Sequence, residues 1–239
     1  MKDIFVPDGL PADAAMKRIR YLGIGAHSDD LEFMAFHGIV AGYNERSFGG
    51  VTCTGGEAIR RQEQIEAARI GRYGVVIQLG HLSRELAGLR EELSEILATT
   101  KPEVVYTHNP ADKHPTHIAV LKIAIEALRE FPPQRVIGCE VWRDLDWLPE
   151  KVVMDVSGHE KLAAELNAVF KSQLAGKRYD LAVEGRRRAN ATFAESHAKD
   201  AASSLIFGMD LTPVVHGEDL ASYTARLIEK FRTDILTPL

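Results

Sequence analysis

Short apolar segments alternate with amphipathic segments between residues 19 and 130, and this alternation limits the possible folds more than any other feature of the chain. The apolar segments predict strands of the kind that is buried in a parallel sheet, at 19–25, 49–54, 74–79 and 104–107. The amphipathic segments predict helices at 31–40, 57–72, 86–99 and 116–129. Strands that alternate with helices in this way indicate an α/β fold with a mainly parallel central sheet.

The flanking regions extend this pattern without dividing the chain. Residues 1–17 are expected to form an arm or short helix, because Pro7, Gly9 and Pro11 interrupt any longer element. Further strands are predicted at 136–142 and 151–156, and C-terminal helices at about 158–175, 179–196 and 218–232. No repeat or flexible linker is found, so a single domain over residues 1–239 is expected.

The composition excludes several classes of protein. The net charge of −5 gives no electrostatic reason to expect binding to nucleic acid or to an anionic membrane. Cys53 and Cys139 lie in apolar runs and are expected to be buried free thiols. The N-terminus has no secretory-signal pattern, and no apolar stretch approaches the roughly 20 residues that cross a bilayer. We therefore expect a cytoplasmic protein without membrane insertion.

Histidine and aspartate collect where two of the predicted strands end. The first strand is followed by His27-Ser28-Asp29-Asp30, and the fourth leads into a segment that runs from His108 to His117. Ligands of open parallel sheets bind outside the carboxyl ends of the strands. His27 and Asp30 can face one point, and His117 can complete a triangle if the two strands are neighbours. Three such ligands leave an open position on Zn²⁺, as in catalytic zinc sites.

Asp29 is the carboxylate that this ligand set does not need. Beside a metal it can take a proton from the water that the metal acidifies. His114, one helical turn before His117, would face the same cavity. A purely structural interpretation also exists, since Asp29 or Asp30 can cap a helix and a single histidine on a helix is commonly structural.

Two of these segments resemble the signatures of the PIG-L/LmbE-like N-acetylglucosaminyl deacetylases. Residues 26–32, with the sequence AHSDDLE, resemble the family's AHPDD-x-E, and residues 112–117 resemble its D-x-H-x-x-H. Two weaker segments, 56–63 and 171–173, are similar to its GE…R-x-x-E and S-Q elements. The resemblance implies a Rossmann-like three-layer α/β sandwich that holds one Zn²⁺ per subunit. The ligand set itself also admits Fe²⁺.

Carried over by position, the resemblance implies a role for each site residue. His27, Asp30 and His117 would be the zinc ligands and Asp29 the general base. Protonated His114 would stabilise the oxyanion, Asp112 would orient His114, Arg60 would contact the substrate, and Glu32 would steady the first loop. The reaction would be hydrolysis of the linear N-acetyl amide of a GlcNAc-type sugar or sugar conjugate, which releases acetate and a free amine. Family members also suggest a homo-oligomer, a trimer or a hexamer.

The chain departs from the family pattern at two places. Ser28 replaces the signature proline, which loosens the loop without removing a ligand. The bulky run from Met34 to His37 replaces a stretch that is usually rich in glycine, and it is expected to narrow the pocket. The substrate is therefore expected to differ from thiol precursors and glycolipids.

The sequence leaves several alternative functions possible and does not assign a role to every notable residue. Two histidines and one carboxylate also describe the metal site of non-haem Fe(II) oxygenases. A non-catalytic sugar- or metal-binding homologue and, from the sequence GIGAHS at 23–28, a dinucleotide-binding module are further candidates. The segment 142–147 could line a sugar pocket or simply pack, and the run Arg186–Arg188 is expected on a solvated or subunit-facing surface. The roles of His37 and His197 are undecided.

Overall fold

An eight-stranded sheet forms the centre of the protein, and this computed structural model describes residues 2–142, 144–194 and 197–238. Arg143 and the predicted helix end at 195–196 lie outside the described residues. The strands are β1 (Asp3–Phe5), β2 (Tyr21–Gly25), β3 (Phe48–Thr54), β4 (Val75–His81), β5 (Val104–His108), β6 (Arg135–Cys139), β7 (Val152–Asp155) and β8 (Leu205–Asp210). The helices are α1 (Ala12–Lys17), α2 (Asp30–Met34), α3 (Phe36–Gly42), α4 (Ala58–Ile70), α5 (Leu89–Thr100), α6 (Pro115–Glu130), α7 (Glu160–Asn167), α8 (Lys171–Leu174), α9 (Tyr179–Ala191), α10 (Thr212–Val215) and α11 (Leu220–Leu236).

The order of the strands explains where a site can form. It is β1-β4-β3-β2-β5-β6-β8-β7, and the pairs from β4 through β6 are parallel. The outer pairs β1–β4, β6–β8 and β8–β7 are antiparallel. The predicted α/β class with a mainly parallel sheet is confirmed. The chain order reverses between β2 and β5, so a crevice opens at the carboxyl ends of these two strands.

Helices cover both faces of the sheet because successive strand side chains point in opposite directions. In β4, for example, Val75 and Ile77 join one apolar cluster, while Val76 joins the other. The first cluster packs against α5 and α6, and the second against α2, α3 and α7. None of the helices in the described part of the chain is long and apolar enough to cross a membrane.

Several predicted elements differ from those of the structure. Residues 1–17 contain a strand, β1, as well as the short helix α1. No element is predicted from the sequence at Leu205–Asp210, but these residues form β8. The single helix predicted at 31–40 is two helices, because the backbone of Ala35 (φ −98°, ψ 17°) leaves helical geometry. The helix predicted at 158–175 is likewise divided into α7 and α8, and buried Phe170 lies at the break.

The expectation of a solvated or subunit-facing arginine run is also wrong. Arg187 is 4% exposed, and it donates hydrogen bonds to the carbonyl oxygens of Glu32 and Phe33 at 2.8 and 3.1 Å. Arg186 is largely buried and pairs with Glu140 at 2.9 Å, and only Arg188 is exposed. Successive helical residues point about 100° apart, so three in a row cannot all face solvent on a helix that packs against a sheet.

Candidate metal centre

The turn after β2 places His27 and Asp30 beside each other. Gly25 makes the turn possible, because a Cβ at this position would lie 2.9 Å from the Cβ of Asp30. The backbone N–H of His27 donates to Oδ2 of Asp30 at 2.6 Å, which fixes the carboxylate at the start of α2. Asp30 is 3% exposed. Its side chain is therefore oriented by the backbone before any ligand binds.

His117 completes a triangle of donor atoms with these two residues. His27 Nδ1 lies 3.2 Å from His117 Nε2 and 3.4 Å from Asp30 Oδ2, and His117 Nε2 lies 3.4 Å from Asp30 Oδ1. The three come together because β2 and β5 are adjacent and α6, which carries His117, follows β5. The predicted ligand set required that β2 and β5 be neighbours in the sheet, and this condition is met.

The triangle fits a small divalent cation. Ligand atoms about 2.0–2.1 Å from a tetrahedral zinc ion are about 3.3–3.4 Å apart. The two histidine nitrogens are separated by a similar distance, and each lies at a similar distance from one of the two carboxylate oxygens of Asp30. Two histidine nitrogens and a carboxylate oxygen are also a donor set that zinc and iron accept. His114 extends the group, because its ligand nitrogen and those of His27 and His117 all lie within 4.8 Å of one another.

Asp112 and His108 support the triangle from outside. Oδ2 of Asp112 lies 2.7 Å from Nδ1 of His117, which leaves the Nε2 lone pair of His117 free to bind a metal. Asp112 was expected to orient the ring of His114, but it accepts only the backbone N–H of His114, at 2.8 Å. His108 stacks on His117 with ring centroids 4.0 Å apart.

His108 is close enough to Asp30 and His117 to form a second group of donor atoms. Its Nε2, however, accepts the backbone N–H of Ala26 at 2.9 Å, so this lone pair is already used. The ring is fully buried, and burial lowers the pKa of His108. We therefore assign His108 to the support of the β2 turn. The sequence placed His108 directly after the fourth predicted strand, within the His/Asp segment, but did not indicate a supporting role.

Asp29 lies in the same cleft with a strained backbone. Its φ of 96° and ψ of −30° belong to a region that side chains other than glycine rarely occupy. Oδ2 of Asp29 is 3.7 Å from Nη2 of Arg60, and the same nitrogen donates to the carbonyl of Ser28 at 2.9 Å. Burial, together with the adjacent Asp30, raises the pKa of Asp29 well above its usual value.

Gln64 holds this turn and was missed by the sequence reasoning. Its side-chain carbonyl accepts the backbone N–H of Asp29 at 3.3 Å, and its amide donates to Oε1 of Glu32 at 2.8 Å. The hydroxyl of Tyr73 donates to the same oxygen at 2.6 Å. Glu32 therefore acts on the turn through Gln64. No local pattern marked Gln64, because it is a polar residue within an amphipathic helix.

His114 sits on the open side of the triangle. Its ring centroid is 5.0 Å from that of His27 and 4.6 Å from that of His117. Partial burial, with His117 and His27 nearby, lowers the pKa of His114. This direction favours the neutral ring near pH 7, in contrast to the protonated ring that the resemblance implied. A neutral imidazole still carries one N–H donor.

A cleft of about 320 Å³ surrounds these groups. Besides the residues described above, its wall contains Phe33, Trp142, Gln173, Lys177 and Tyr179. The expectation that residues 34–37 narrow the pocket is wrong. Met34 and Phe36 are buried in the core, and His37 lies on another groove, where its Nδ1 is 2.9 Å from the hydroxyl of Tyr106. His197 is exposed and does not line the cleft.

The two weaker family-like segments are joined in the structure. Glu63 accepts hydrogen bonds from the backbone N–H of Ser172 at 2.8 Å and from its hydroxyl at 2.5 Å. Arg60, which lines the cleft, is one turn earlier on α4, and Gln173 follows Ser172 directly. The contact therefore ties the far wall of the cleft to the helix that carries Arg60.

Fold and site together define an α/β protein with a His/Asp cleft, suited to a divalent metal, at the switch point of its sheet. A comparison with protein families matches residues 22–128 to the family described as PIG-L, GlcNAc-PI de-N-acetylase. The resemblance that the signatures predict is therefore confirmed as a match to this family over residues 22–128.

Solved structures confirm that this fold is shared. A conserved protein from Thermus thermophilus is 21% identical with a TM-score of 0.64, over 79% of this chain and 93% of that one. The N,N'-diacetylchitobiose deacetylase from Pyrococcus horikoshii is 17% identical with a TM-score of 0.62, over 82% and 85%. The 4-carboxy-2-hydroxymuconate hydratase from Pseudomonas putida is 16% identical with a TM-score of 0.63, over 81% and 96%. At these identities the likeness concerns the fold alone.

Proposed function

We propose that this protein is a metal-dependent amide hydrolase that removes the acetyl group from an N-acetylated sugar or sugar conjugate. The observation that carries the proposal is the triangle of His27, Asp30 and His117 with a further carboxylate, Asp29, in the same cleft. Binding alone has no use for that carboxylate, whereas hydrolysis needs a base. The PIG-L match over residues 22–128 supports amide hydrolysis on a sugar.

The proposed metal ligands are His27 Nδ1, a carboxylate oxygen of Asp30 and His117 Nε2. A divalent cation bound there supplies a Lewis acid that polarises a carbonyl oxygen and acidifies water. Asp112 holds His117 in the tautomer that leaves Nε2 free to bind. We assign the site to zinc, with Fe²⁺ as the competing metal, and metal analysis of protein purified without chelators decides between them.

Asp29 is the proposed general base. Its carboxylate takes a proton from the attacking water and passes it to the amine nitrogen that leaves. A raised pKa suits this exchange, because a base that must also act as an acid works best near the operating pH. The neutral ring of His114 donates its N–H to the oxygen that becomes negative, and Arg60 keeps Asp29 from turning away.

The test is acetate release from a panel of N-acetyl sugars and their conjugates by metal-loaded protein. We expect Asp29→Asn to keep its metal and to lose at least about a hundredfold in rate. The control Asp13→Asn, at an exposed position on α1, should retain full activity. A hydratase shares the fold, so 4-carboxy-2-hydroxymuconate is included as a substrate. Hydration of that compound without acetate release from any sugar would overturn the proposal.

A further inference from the structure

A cavity of about 160 Å³ lies between α7 and α9, and the proposed metal ligands do not line it. A water molecule takes up about 30 Å³ in the liquid, so the cavity has room for a small organic molecule. Ala163, Ala164 and Leu174 form its apolar part. Its polar part includes Asn167 and Arg187, which are only 3% and 4% exposed. The cavity is therefore a candidate site of its own.

Arg187 brings a buried positive charge to this cavity. Its Nη2 donates to the carbonyl oxygens of Glu32 and Phe33, and its guanidinium lies 4.5 Å from the ring centroid of Phe36. Within the described part of the chain, Nε has no hydrogen-bond partner, and no carboxylate oxygen lies within 4.0 Å of the guanidinium nitrogens. Burial lowers the pKa of Arg187 to about 9. A buried cation without a counter-ion is costly, so an anion beside Arg187 would stabilise the protein.

Asn167 has the opposite requirement. Its Oδ1 is buried and, among the described residues, receives no hydrogen bond. Arg187 and Asn167 thus supply a donor without an acceptor and an acceptor without a donor to the lining of one cavity. Buried polar groups are nearly always paired in folded proteins, so both groups are open to a ligand. One molecule pairs both if it carries an anionic group next to a hydrogen-bond donor.

The remaining charges of the lining indicate which donor fits. Asp180 pairs with Arg178 at 2.7 Å, and Glu184 pairs with Arg188 at 2.6 Å. Glu160 accepts a hydroxyl at 2.5 Å, but no cation of the described residues lies within 4.0 Å of it. The carboxylate of Glu160 therefore leaves one negative charge in the lining without an opposite charge, and it favours an ammonium group over a neutral hydroxyl as the donor. It also disfavours a ligand with two negative charges.

We propose that this cavity binds a small aliphatic α-amino acid. The carboxylate would accept hydrogen bonds from Arg187, and the ammonium group would donate to Oδ1 of Asn167 on the side of Glu160. The side chain would pack against Ala163 and Ala164. An α-amino acid carries the anion and the cationic donor on one carbon atom, which is the combination that the two buried groups and the acidic lining require.

The test is calorimetric titration of the full chain with L-alanine, after removal of metal so that the amino acid does not bind at the triangle. We expect a Kd of about 1 mM or lower. Propionate lacks the ammonium group, and L-alaninamide lacks the carboxylate charge. Each should bind at least about tenfold more weakly, because one charged hydrogen bond is lost.

A variant that fills the cavity locates the binding. Ala164 is exposed on α7, so Ala164→Leu should fold normally, and it should weaken L-alanine binding at least about tenfold by occupying the space. The matched control is Ala225→Leu, at an exposed position on α11 outside the cavity, and it should bind as the unchanged protein does. Arg187→Met should also abolish binding, but it removes the hydrogen bonds to α2 as well. Ala164→Leu is therefore the deciding variant.

The outcomes are independent of acetate release, so failure here leaves the proposed function intact. No binding of L-alanine, or binding that survives Ala164→Leu, would overturn the inference. Propionate that binds as tightly as L-alanine would show that the ammonium group is not recognised. L-Alaninamide that binds as tightly would show the same of the carboxylate, and either result would overturn the assignment to an amino acid.

Discussion

The strained backbone of Asp29 predicts that glycine stabilises the protein more than alanine does at this position, which is the opposite of the usual effect. Replacement of glycine by alanine ordinarily stabilises a protein by about 0.4–1 kcal/mol, because it restricts the unfolded chain. At φ 96° and ψ −30°, however, a Cβ is strained by about 1–3 kcal/mol. The difference favours glycine, so we expect Asp29→Gly to be more stable than Asp29→Ala by about 1–2 kcal/mol.

Both variants remove the same carboxylate and the same partner of Arg60, so these effects cancel in the comparison. For a chain of this length about 1 kcal/mol shifts the melting temperature by roughly 2–4 °C. We therefore expect the glycine variant to melt about 2–8 °C higher, a range that follows from the same relation. The assay is calorimetric unfolding after chelator treatment, so that metal binding does not contribute.

Glycine and alanine variants at two other positions serve as controls for this comparison. Lys101 also has positive φ, 45°, and its glycine variant should again be the more stable one. Glu95 lies within α5, where alanine should exceed glycine by about 1 kcal/mol. If alanine equals or exceeds glycine at position 29 while both controls behave as expected, the turn is not strained and the reasoning is refuted.

Three further predictions concern the surroundings of the site. Asp112→Ala should weaken metal affinity about 10–100-fold, measured by competition with a chelator, because His117 loses its orienting partner; unchanged affinity would contradict this role. Glu63→Gln should cost about 1 kcal/mol and speed proteolysis near Ser172, since a charged acceptor is lost; an unchanged cleavage rate would count against the tether. Burial raises the pKa of Glu140 to about 7 from 4.5, so its folded form holds a proton that the unfolded form has released. The free energy of unfolding should then fall as the pH rises from about 4.5 to 7. Glu140→Gln should reduce this dependence on pH when unfolding is followed with a chemical denaturant, and an unchanged dependence would show that Glu140 is not its source.

The sequence predicts the fold well where elements alternate locally. The strands from β2 to β6 and the helices α4, α5 and α6 follow from hydrophobic pattern alone. β8 was missed because its neighbours in the sheet, β6 and β7, come earlier in the chain with three helices in between. The order of the strands was also beyond the sequence, although the meeting of His27 with His117 depends on it. Adjacency of β2 and β5 is a property of the assembled sheet.

The residues that line and support the site also fall into two groups, those that the sequence predicts and those that it does not. His27, Asp30 and His117 are found from their positions at strand ends. Gln64 and Lys177 are not, because each belongs to a segment with an ordinary pattern and meets the cleft only through packing. Polar side chains on helices that flank a switch point are thus the ones that sequence reasoning omits.

Asp29 and Asp30, in the turn after β2, differ in the direction of their pKa shifts, and this difference is the strongest indication that the turn takes part in a reaction. Burial alone would raise the pKa of both. For Asp30, the neighbouring imidazole rings of His117, His108 and His27 outweigh burial and hold its pKa well below the usual range. For Asp29, burial outweighs the charge of Arg60 at 3.7 Å, and its pKa is raised. Neighbouring carboxylates whose environments push their pKa values apart take different parts in a reaction. The positive φ of Asp29 separates these environments, since it turns one carboxylate to the triangle and leaves the other in the cleft. A strained turn is therefore what would allow adjacent residues of one type to take the proposed roles of ligand and base.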